Sequence, residues 1–238
     1  MRRLLTMAVL ATIWSAAPLA HSQQPQDRWS TAERTGYAVG HDLGTQSLDR
    51  LRADGIEVDL ASFVSGFADA VRGAEPRLSS AELEAVLARL EREVTTRAAE
   101  QRMASDPVFR ALAEANLRKG RTFHEEFGRK TGVTTLSTGI QYEVVVGGSG
   151  GWVAPDGTVV VTFKGKLLDG YVFGEAEQKE IRVSTMLPGG RDIVQRMRVG
   201  DRWNVAIPPD QAFGIGGRTP DIGPNETLLI DVTLLEIK

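Results

Sequence analysis

Regular alternation of apolar and polar residues after Thr138 constrains the fold of this chain more than any other feature. Four segments alternate in this way: Ile140–Val146, Val159–Phe163, Trp203–Ile207 and Leu228–Leu234. A period of two predicts strands with one buried face, and Asp169-Gly170 predicts a hairpin turn. Between Gly189 and Val199 the apolar residues follow a helical spacing. The segment 139–238 therefore predicts an α+β domain in which a twisted antiparallel sheet wraps on one short helix.

Residues 30–130 predict an all-α domain, because they are rich in Ala, Leu, Glu and Arg. Four helix starts are visible. Ser30 or Thr31 can begin a helix toward Arg52, and Asp59 can begin one through Val71. The capping box Ser79–Glu82 opens a long connecting helix, and Asp106-Pro107 begins a helix toward Phe127. Thr131 to Thr138, which contains Gly132, predicts a linker between the two domains.

The first 22 residues predict a cleaved secretory signal peptide. Arg2 and Arg3 precede a short apolar run, and small residues around Ala20 and Ser22 offer cleavage sites. An uncleaved membrane anchor is the alternative, but the run is shorter than the roughly 20 apolar residues that a membrane span needs. We therefore expect a periplasmic bacterial protein with no membrane attachment after cleavage.

Several chemistries are disfavoured by composition and spacing. A formal net charge of −3 gives no reason to expect nucleic acid binding, and the chain has no cysteine. His41 and His124, the histidines beyond the predicted signal peptide, have no metal-ligand spacing. The pattern Gly147–Gly151 matches a hydrolase serine motif, but no helix can follow it. We expect no cofactor, no metal and no acid, base or nucleophile.

Residues 137–238 resemble the FKBP-type peptidyl-prolyl isomerase domain along their whole length. Ordered motifs carry the resemblance: Ser137–Tyr142, Val161–Gly165, Leu167–Phe173, Val199–Trp203, Ile207–Pro209, Ala212–Gly214 and Pro224–Leu228. The first half, with Tyr37–Gly40 and Asp42–Gly44, is similar to the helical domain of the macrophage infectivity potentiator subgroup. The resemblance implies a secreted homodimer, joined through its N-terminal helices, with isomerase and chaperone activity.

The resemblance also implies a substrate pocket that binds proline in an apolar aromatic cup. Its positions in this sequence are Phe163, Phe173, Ile181, Val183, Met186, Leu187, Phe213, Ile222 and Ile230. Rotation about an X-Pro bond is slow because it breaks amide resonance, and a dry pocket favours the twisted amide without proton transfer.

Several of these positions depart from the family pattern. Phe163 and Phe213 stand where the family has tyrosines, and Gly174 stands where it has an aspartate bonded to the first of them. Gly190 stands where a tryptophan forms the floor of the pocket, while Ile181 and Ile230 replace phenylalanines. We therefore expect weak or absent isomerase activity.

Three functions remain open at this stage. The first is a periplasmic isomerase that assists the folding of proline-containing unfolded or nascent polypeptides. The second is a non-catalytic chaperone dimer that uses the same frame, and a weaker third is a purely structural protein. Gly36, Gly40 and Gly44 form a smooth helical stripe, and further apolar stripes follow. These features favour a homodimer, with a closed helical bundle as the alternative.

Overall fold

The computed structural model of the protein describes residues 29–238. The predicted signal peptide, residues 1–22, lies outside these residues. The described helices are α1 (Thr31–Ala53), α2 (Leu60–Val71), α3 (Ser80–Ser105), α4 (Pro107–Phe127) and α5 (Pro188–Val194). Within residues 29–238, no helix combines the length and the apolar character required to cross a membrane.

Side-chain caps begin α2, α3 and α4 where the sequence predicts them. The Asp59 carboxylate accepts from the amide of Ser62. Ser79 and Glu82 form the reciprocal capping box of α3. Asp106 accepts from the amides of Val108 and Phe109, 3.0 Å away in each case. Each cap satisfies amides that have no partner inside the helix, which fixes the residue at which the helix begins.

Six antiparallel strands form the sheet of the described chain, in the order β1-β2-β5-β6-β3-β4. They are β1 (Val133–Thr135), β2 (Gln141–Val146), β3 (Thr158–Lys166), β4 (Val172–Arg182), β5 (Arg202–Ile207) and β6 (Leu228–Ile237). This architecture confirms the predicted fold class, with N-terminal helices followed by an antiparallel sheet. Strand β1 lies within the predicted linker 131–138, where Val133–Thr135 pairs with β2.

The main core lies between the concave face of the sheet and α5. Ile140, Val159, Leu234 and Met197 are completely buried there. Gly189 lets α5 approach β5 closely, because a Cβ at this position would lie 2.5 Å from a methyl of Ile207. The short helix therefore packs at a distance that a larger residue would prevent.

Helix α4 packs against the C-terminal half of the chain. Ala113 is fully buried, and the side chain of Asn116 donates to the carbonyl of Pro224 over 2.9 Å. A Cβ at Gly120 would lie 2.5 Å from Oγ1 of Thr227, so the helix and the start of β6 are in close contact. This contact makes α4 part of the same packed body as the sheet.

By internal contacts the chain divides into two compact units between Asp49 and Arg50, inside α1. Helices α2 to α4 and the sheet belong to the second unit. This division differs from the predicted limits of a helical domain at 30–130, since the packing of α3 and α4 on the C-terminal half joins them to it.

Candidate functional site

A largely apolar cup of about 260 Å³ opens between α5 and the concave face of the sheet. Its lining is Val161, Phe163, Phe173, Ile181, Met186, Leu187, Gly190, Ile193, Val194, Val205, Ile207, Phe213, Arg218, Leu228, Ile230 and Val232. Alternate residues of neighbouring strands supply one face of this cup, as the pleat of a sheet requires. The cup is of a size that suits a small apolar ring.

The structure brings together most of the side chains that the resemblance to the FKBP domain marks as pocket residues. Those lining the cup are Phe163, Phe173, Ile181, Met186, Leu187, Phe213 and Ile230, together with Gly190. Val183 and Ile222 are instead buried in the core, with 0% and 3% of their surface exposed. Gly174 lies beside the cup and does not line it.

Phe173 owes its place in the cup to a glycine on the neighbouring strand. Gly165 pairs with Gly174 across the β3–β4 ladder, and a Cβ at Gly165 would collide with the Phe173 ring. The missing side chain thus leaves a flat backbone on which the ring rests. This arrangement leaves room for the Phe173 ring in the lining of the cup.

The predicted loss of polar groups is visible in the geometry. A Cβ at Gly174 would lie 3.9 Å from Cε2 of Phe163, so the two positions are neighbours and both lack hydrogen-bonding groups. Because both partners are absent together, no buried donor or acceptor is left unpaired there. At Gly190 a Cβ would lie 3.7 Å from Cβ of Met186, which leaves the base of the cup open.

Arg218 is the charged residue of the cup, and it is one of the lining residues that sequence reasoning missed. Its guanidinium carbon stands 5.3 Å from the centre of the Phe213 ring and 5.8 Å from that of Phe173. Its Nη2 donates to the carbonyl of Phe173 over 3.1 Å. No sequence signal marks this position, because the arginine lies in an irregular segment between two ordered motifs.

A second groove adjoins the cup on the side of α3. It has a volume of about 420 Å³ and is lined by Ala88, Glu91, Arg92, Thr95, Thr185, Leu187, Phe213, Gly216, Gly217, Arg218 and Thr219. Leu187, Phe213 and Arg218 line both depressions, so the cup and the groove form one continuous surface. A peptide seated in the cup can extend into the groove.

Other features of the described chain do not compete with the cup as a reaction centre. A larger hollow of about 580 Å³ between α4 and nearby loops shares no lining residue with it. Segment 147–151 is an irregular loop in which the amide of Gly148 donates to the Asp201 carboxylate over 2.6 Å, and no helix follows it. Within residues 29–238, no cluster of three or more His, Cys, Asp or Glu residues could hold a metal ion.

Comparison with known proteins places this geometry in a family. Residues 32–144 match the domain amino terminal to FKBP-type peptidyl-prolyl isomerase. Residues 151–235 match the FKBP-type peptidyl-prolyl cis-trans isomerase domain itself. Over its whole length the chain is 31% identical to the FKBP-type peptidyl-prolyl cis-trans isomerase FkpA of Escherichia coli O6:H1, covering 92% of that relative. The chain belongs to the FKBP-type peptidyl-prolyl isomerase family.

Further relatives of the family agree with this assignment. The peptidyl-prolyl cis-trans isomerase Mip of Coxiella burnetii is 28% identical over 84% of this chain and 86% of its own. The crystal structure of FkpA from Escherichia coli is similar with a TM-score of 0.53, at 33% identity over 88% of this chain and 97% of that one. The resemblance drawn from the ordered motifs is thereby confirmed, and the chain is an isomerase by homology.

Proposed function

We propose that this family member is a weak peptidyl-prolyl isomerase that assists protein folding in the bacterial periplasm. Its substrates are proline-containing segments of unfolded or nascent polypeptides. The observation that carries the proposal is the apolar cup between α5 and the sheet, with Phe173 and Phe213 at its rim and Arg218 as its polar lining residue. The basic and apolar start of the sequence supports export, and one relative is named outer membrane protein MIP of Legionella longbeachae.

Catalysis in this cup follows from the physics of the amide. The planar X-Pro bond separates charge through resonance, and rotation removes that separation. A dry apolar surface therefore stabilises the twisted amide relative to the planar one, without a proton being transferred. The proline ring packs between Phe173 and Phe213, while the rest of the peptide leaves through the open side of the cup.

The low expected rate has a structural cause. Phe163 and Phe213 carry no hydroxyl, and Gly190 supplies no side chain at the base of the cup. Each absent aromatic or polar contact removes on the order of 1 kcal/mol of preferential binding. The cup can then still bind apolar peptide segments, but it accelerates rotation about the X-Pro bond less.

This same deficit favours one other candidate, a non-catalytic chaperone dimer that binds polypeptides. Exposed apolar residues on α2 support the dimer: Leu60, Val64, Phe67 and Val71. They recur at spacings of four, three and four, which makes one apolar stripe on the helix. On a soluble protein such a stripe favours contact with a second copy.

A peptide isomerisation assay on the mature protein separates the two candidates. We expect a measurable cis–trans exchange rate above buffer, reduced about tenfold by Phe173→Ala, since a loss of about 1.4 kcal/mol corresponds to that factor. Val172→Ala is the matched control, because Val172 is the preceding residue of β4 and is exposed. A rate equal to buffer, with suppression of aggregation intact, would favour the chaperone candidate.

A further inference from the structure

Arg218 brings a permanent positive charge to an otherwise apolar cup. In the described chain it is the one lining residue whose side chain carries hydrogen-bond donors. A guanidinium offers five N–H donors and does not lose its charge in proteins. One of them is used on the carbonyl of Phe173, so others remain for a ligand.

The position of Arg218 is fixed by its backbone and by its neighbours. Its amide donates to the carbonyl of Ile222 and its carbonyl accepts from the amide of Ile222, over 2.8 Å in each case. The guanidinium carbon lies within 6 Å of the centres of both the Phe173 and the Phe213 ring, and the attraction between a cation and an aromatic face helps to orient it there. With 45% of its side chain exposed, Arg218 can still contact a bound peptide.

Helix α3 supplies a second guanidinium to the same surface. Arg92 is half-buried and lines the groove with Arg218. The helix is held at this distance by Gly216, where a Cβ would lie 3.1 Å from the carbonyl carbon of Thr95. Arg92 makes no ion pair within residues 29–238, although Arg97 and Arg102 of the same helix do.

Negative charge at the groove comes from one carboxylate in its lining and one beside it. Glu91 is the one carboxylate among the lining residues of the described groove, and it is exposed. Asp221 lies 3.7 Å from Arg218 but outside the lining, where it also accepts a hydrogen bond from the hydroxyl of Tyr171. Within the lining, two guanidinium groups face one exposed carboxylate, while Asp221 compensates part of the charge of Arg218 from outside it.

We propose that Arg92 and Arg218 form a subsite for an acidic side chain next to the proline of the substrate. This inference rests on the proposed function, because the proline ring in the cup sets the register of the peptide. Arg218 belongs to both depressions, so the residue beside the proline reaches the two guanidinium groups. A carboxylate there accepts charge-assisted hydrogen bonds, whereas a lysine is repelled. The protein thereby selects acidic Xaa-Pro or Pro-Xaa segments of its substrates.

Short peptides test the subsite on the mature protein. Two sets carry Glu, Gln or Lys as Xaa, one immediately before and one immediately after the proline, and exchange rates are measured by NMR. In at least one set we expect kcat/KM for the Glu peptide to exceed that for the Gln peptide roughly fivefold, the upper end for a solvent-accessible ion pair. The Lys peptide should be the slowest, and added salt should reduce the differences.

Charge-removing variants show which residues are responsible. Arg218→Gln and Arg92→Gln should each bring the ratio of Glu to Gln rates toward one, and Arg218→Lys should keep a preference for Glu. Arg89→Gln is the matched control, because Arg89 also lies on α3 but lines a different hollow, and it should leave the ratio unchanged. If Arg89→Gln reduces the ratio as strongly as Arg92→Gln, the effect is one of net charge and the subsite is refuted.

Failure of the subsite and failure of the proposed function give different results. Equal rates for Glu and Gln peptides in both sets would overturn the subsite while the isomerase stands. If no peptide is turned over, the proposed isomerase function is refuted. The dissociation constants of the same peptides, measured by NMR titration, then test the subsite. Tighter binding of a Glu peptide that Arg218→Gln abolishes would support it, and equal binding would overturn it.

Discussion

Gly174 and Phe163 are neighbours across the β3–β4 ladder, with 3.9 Å between Cε2 of the ring and the position that a Cβ at Gly174 would occupy. This distance is an ordinary van der Waals contact, so a side chain at Gly174 fits without displacing the ring. Its backbone is extended within β4, which any residue tolerates. The cup can therefore accept the polar pair that it lacks.

Restoring that pair should raise the isomerase rate. In Phe163→Tyr with Gly174→Asp, the new carboxylate accepts the new hydroxyl hydrogen and orients the phenol at the edge of the cup. One net hydrogen bond of about 1 kcal/mol predicts roughly a fivefold gain in kcat/KM. NMR exchange spectroscopy on a proline peptide measures the gain.

Phe163→Tyr alone is the control for the pair. Its hydroxyl meets an apolar surface and Gly174, so we expect little gain or a small loss. Adding Gly190→Trp to the pair should give a further increase by closing the base of the cup. A folded triple variant with no gain would show that these positions do not form the substrate pocket.

Gly120 is expected to be indispensable at the contact between α4 and β6. Gly120→Ala places a methyl 2.5 Å from Oγ1 of Thr227, which is fully buried. The clash should outweigh the gain in helix propensity and lower the free energy of unfolding by about 1–2 kcal/mol. Urea denaturation measures this value.

Removal of the Thr227 hydroxyl should reverse most of that loss. Within the described residues this hydroxyl has no hydrogen-bond partner, so its loss in Thr227→Ala costs little, and most of the cost of that variant comes from the buried methyl removed with it. The double variant Gly120→Ala with Thr227→Ala should approach the wild-type midpoint. A Gly120→Ala protein as stable as the wild type would contradict the close packing of α4.

Stability should decrease as the solution becomes mildly acidic, because of His124. Burial lowers the pKa of this imidazole, although a hydrogen bond with Gln141 and the charge of Asp210 act in the opposite direction. Nδ1 lies 2.9 Å from Oε1 of Gln141, and among residues 29–238 the buried Nε2 has no partner, so a second proton would find no acceptor there.

The sign follows from proton linkage. With a lowered native pKa, the unfolded chain binds the proton first, so the free energy of unfolding is constant above about pH 6.5 and decreases below it until the native pKa is reached. Urea midpoints at about pH 7.5 and pH 5.5 should differ less in His124→Gln than in the wild type. His41→Gln, at an exposed position of α1, should retain the wild-type difference.

The homodimer through the N-terminal helices, which the sequence leads us to expect, can also be tested on α1. Leu43 is 47% exposed and follows Val39, itself 53% exposed, by one turn. Leu43→Glu should shift the mature protein from dimer to monomer in sedimentation velocity, because it places a charge on the apolar face. Thr45→Glu adds the same charge about 200° away around the helix and should leave the dimer intact. A monomeric wild type would refute the proposal.

Local signals in the sequence predict most of the helices and strands of this protein well. Asp59, Ser79 and Asp106 each begin a helix, because their caps act through residues only two or three positions away. The alternating segments likewise become β2, β3, β5 and β6. Such local rules need no knowledge of the tertiary structure.

The long-range parts of the site were less accessible to prediction. Val183 and Ile222 are apolar like their neighbours, and only the turn of the chain decides that they are buried beneath the cup. Arg218 has no pattern of its own and becomes a cup residue because its segment brings it close to Phe173 and Phe213, which are distant in sequence. The groove beside α3 depends on how the segment around Gly216 packs on that helix, which sequence periodicity does not encode.

Asp106 ends α3 and caps α4, so one residue forms the whole junction between two long helices. Each residue of an α-helix turns the chain by about 100°. A single insertion or deletion at this junction would therefore rotate α3 by more than a quarter turn and move Arg92 away from Arg218. The junction between α3 and α4 should consequently tolerate substitutions far better than changes of length.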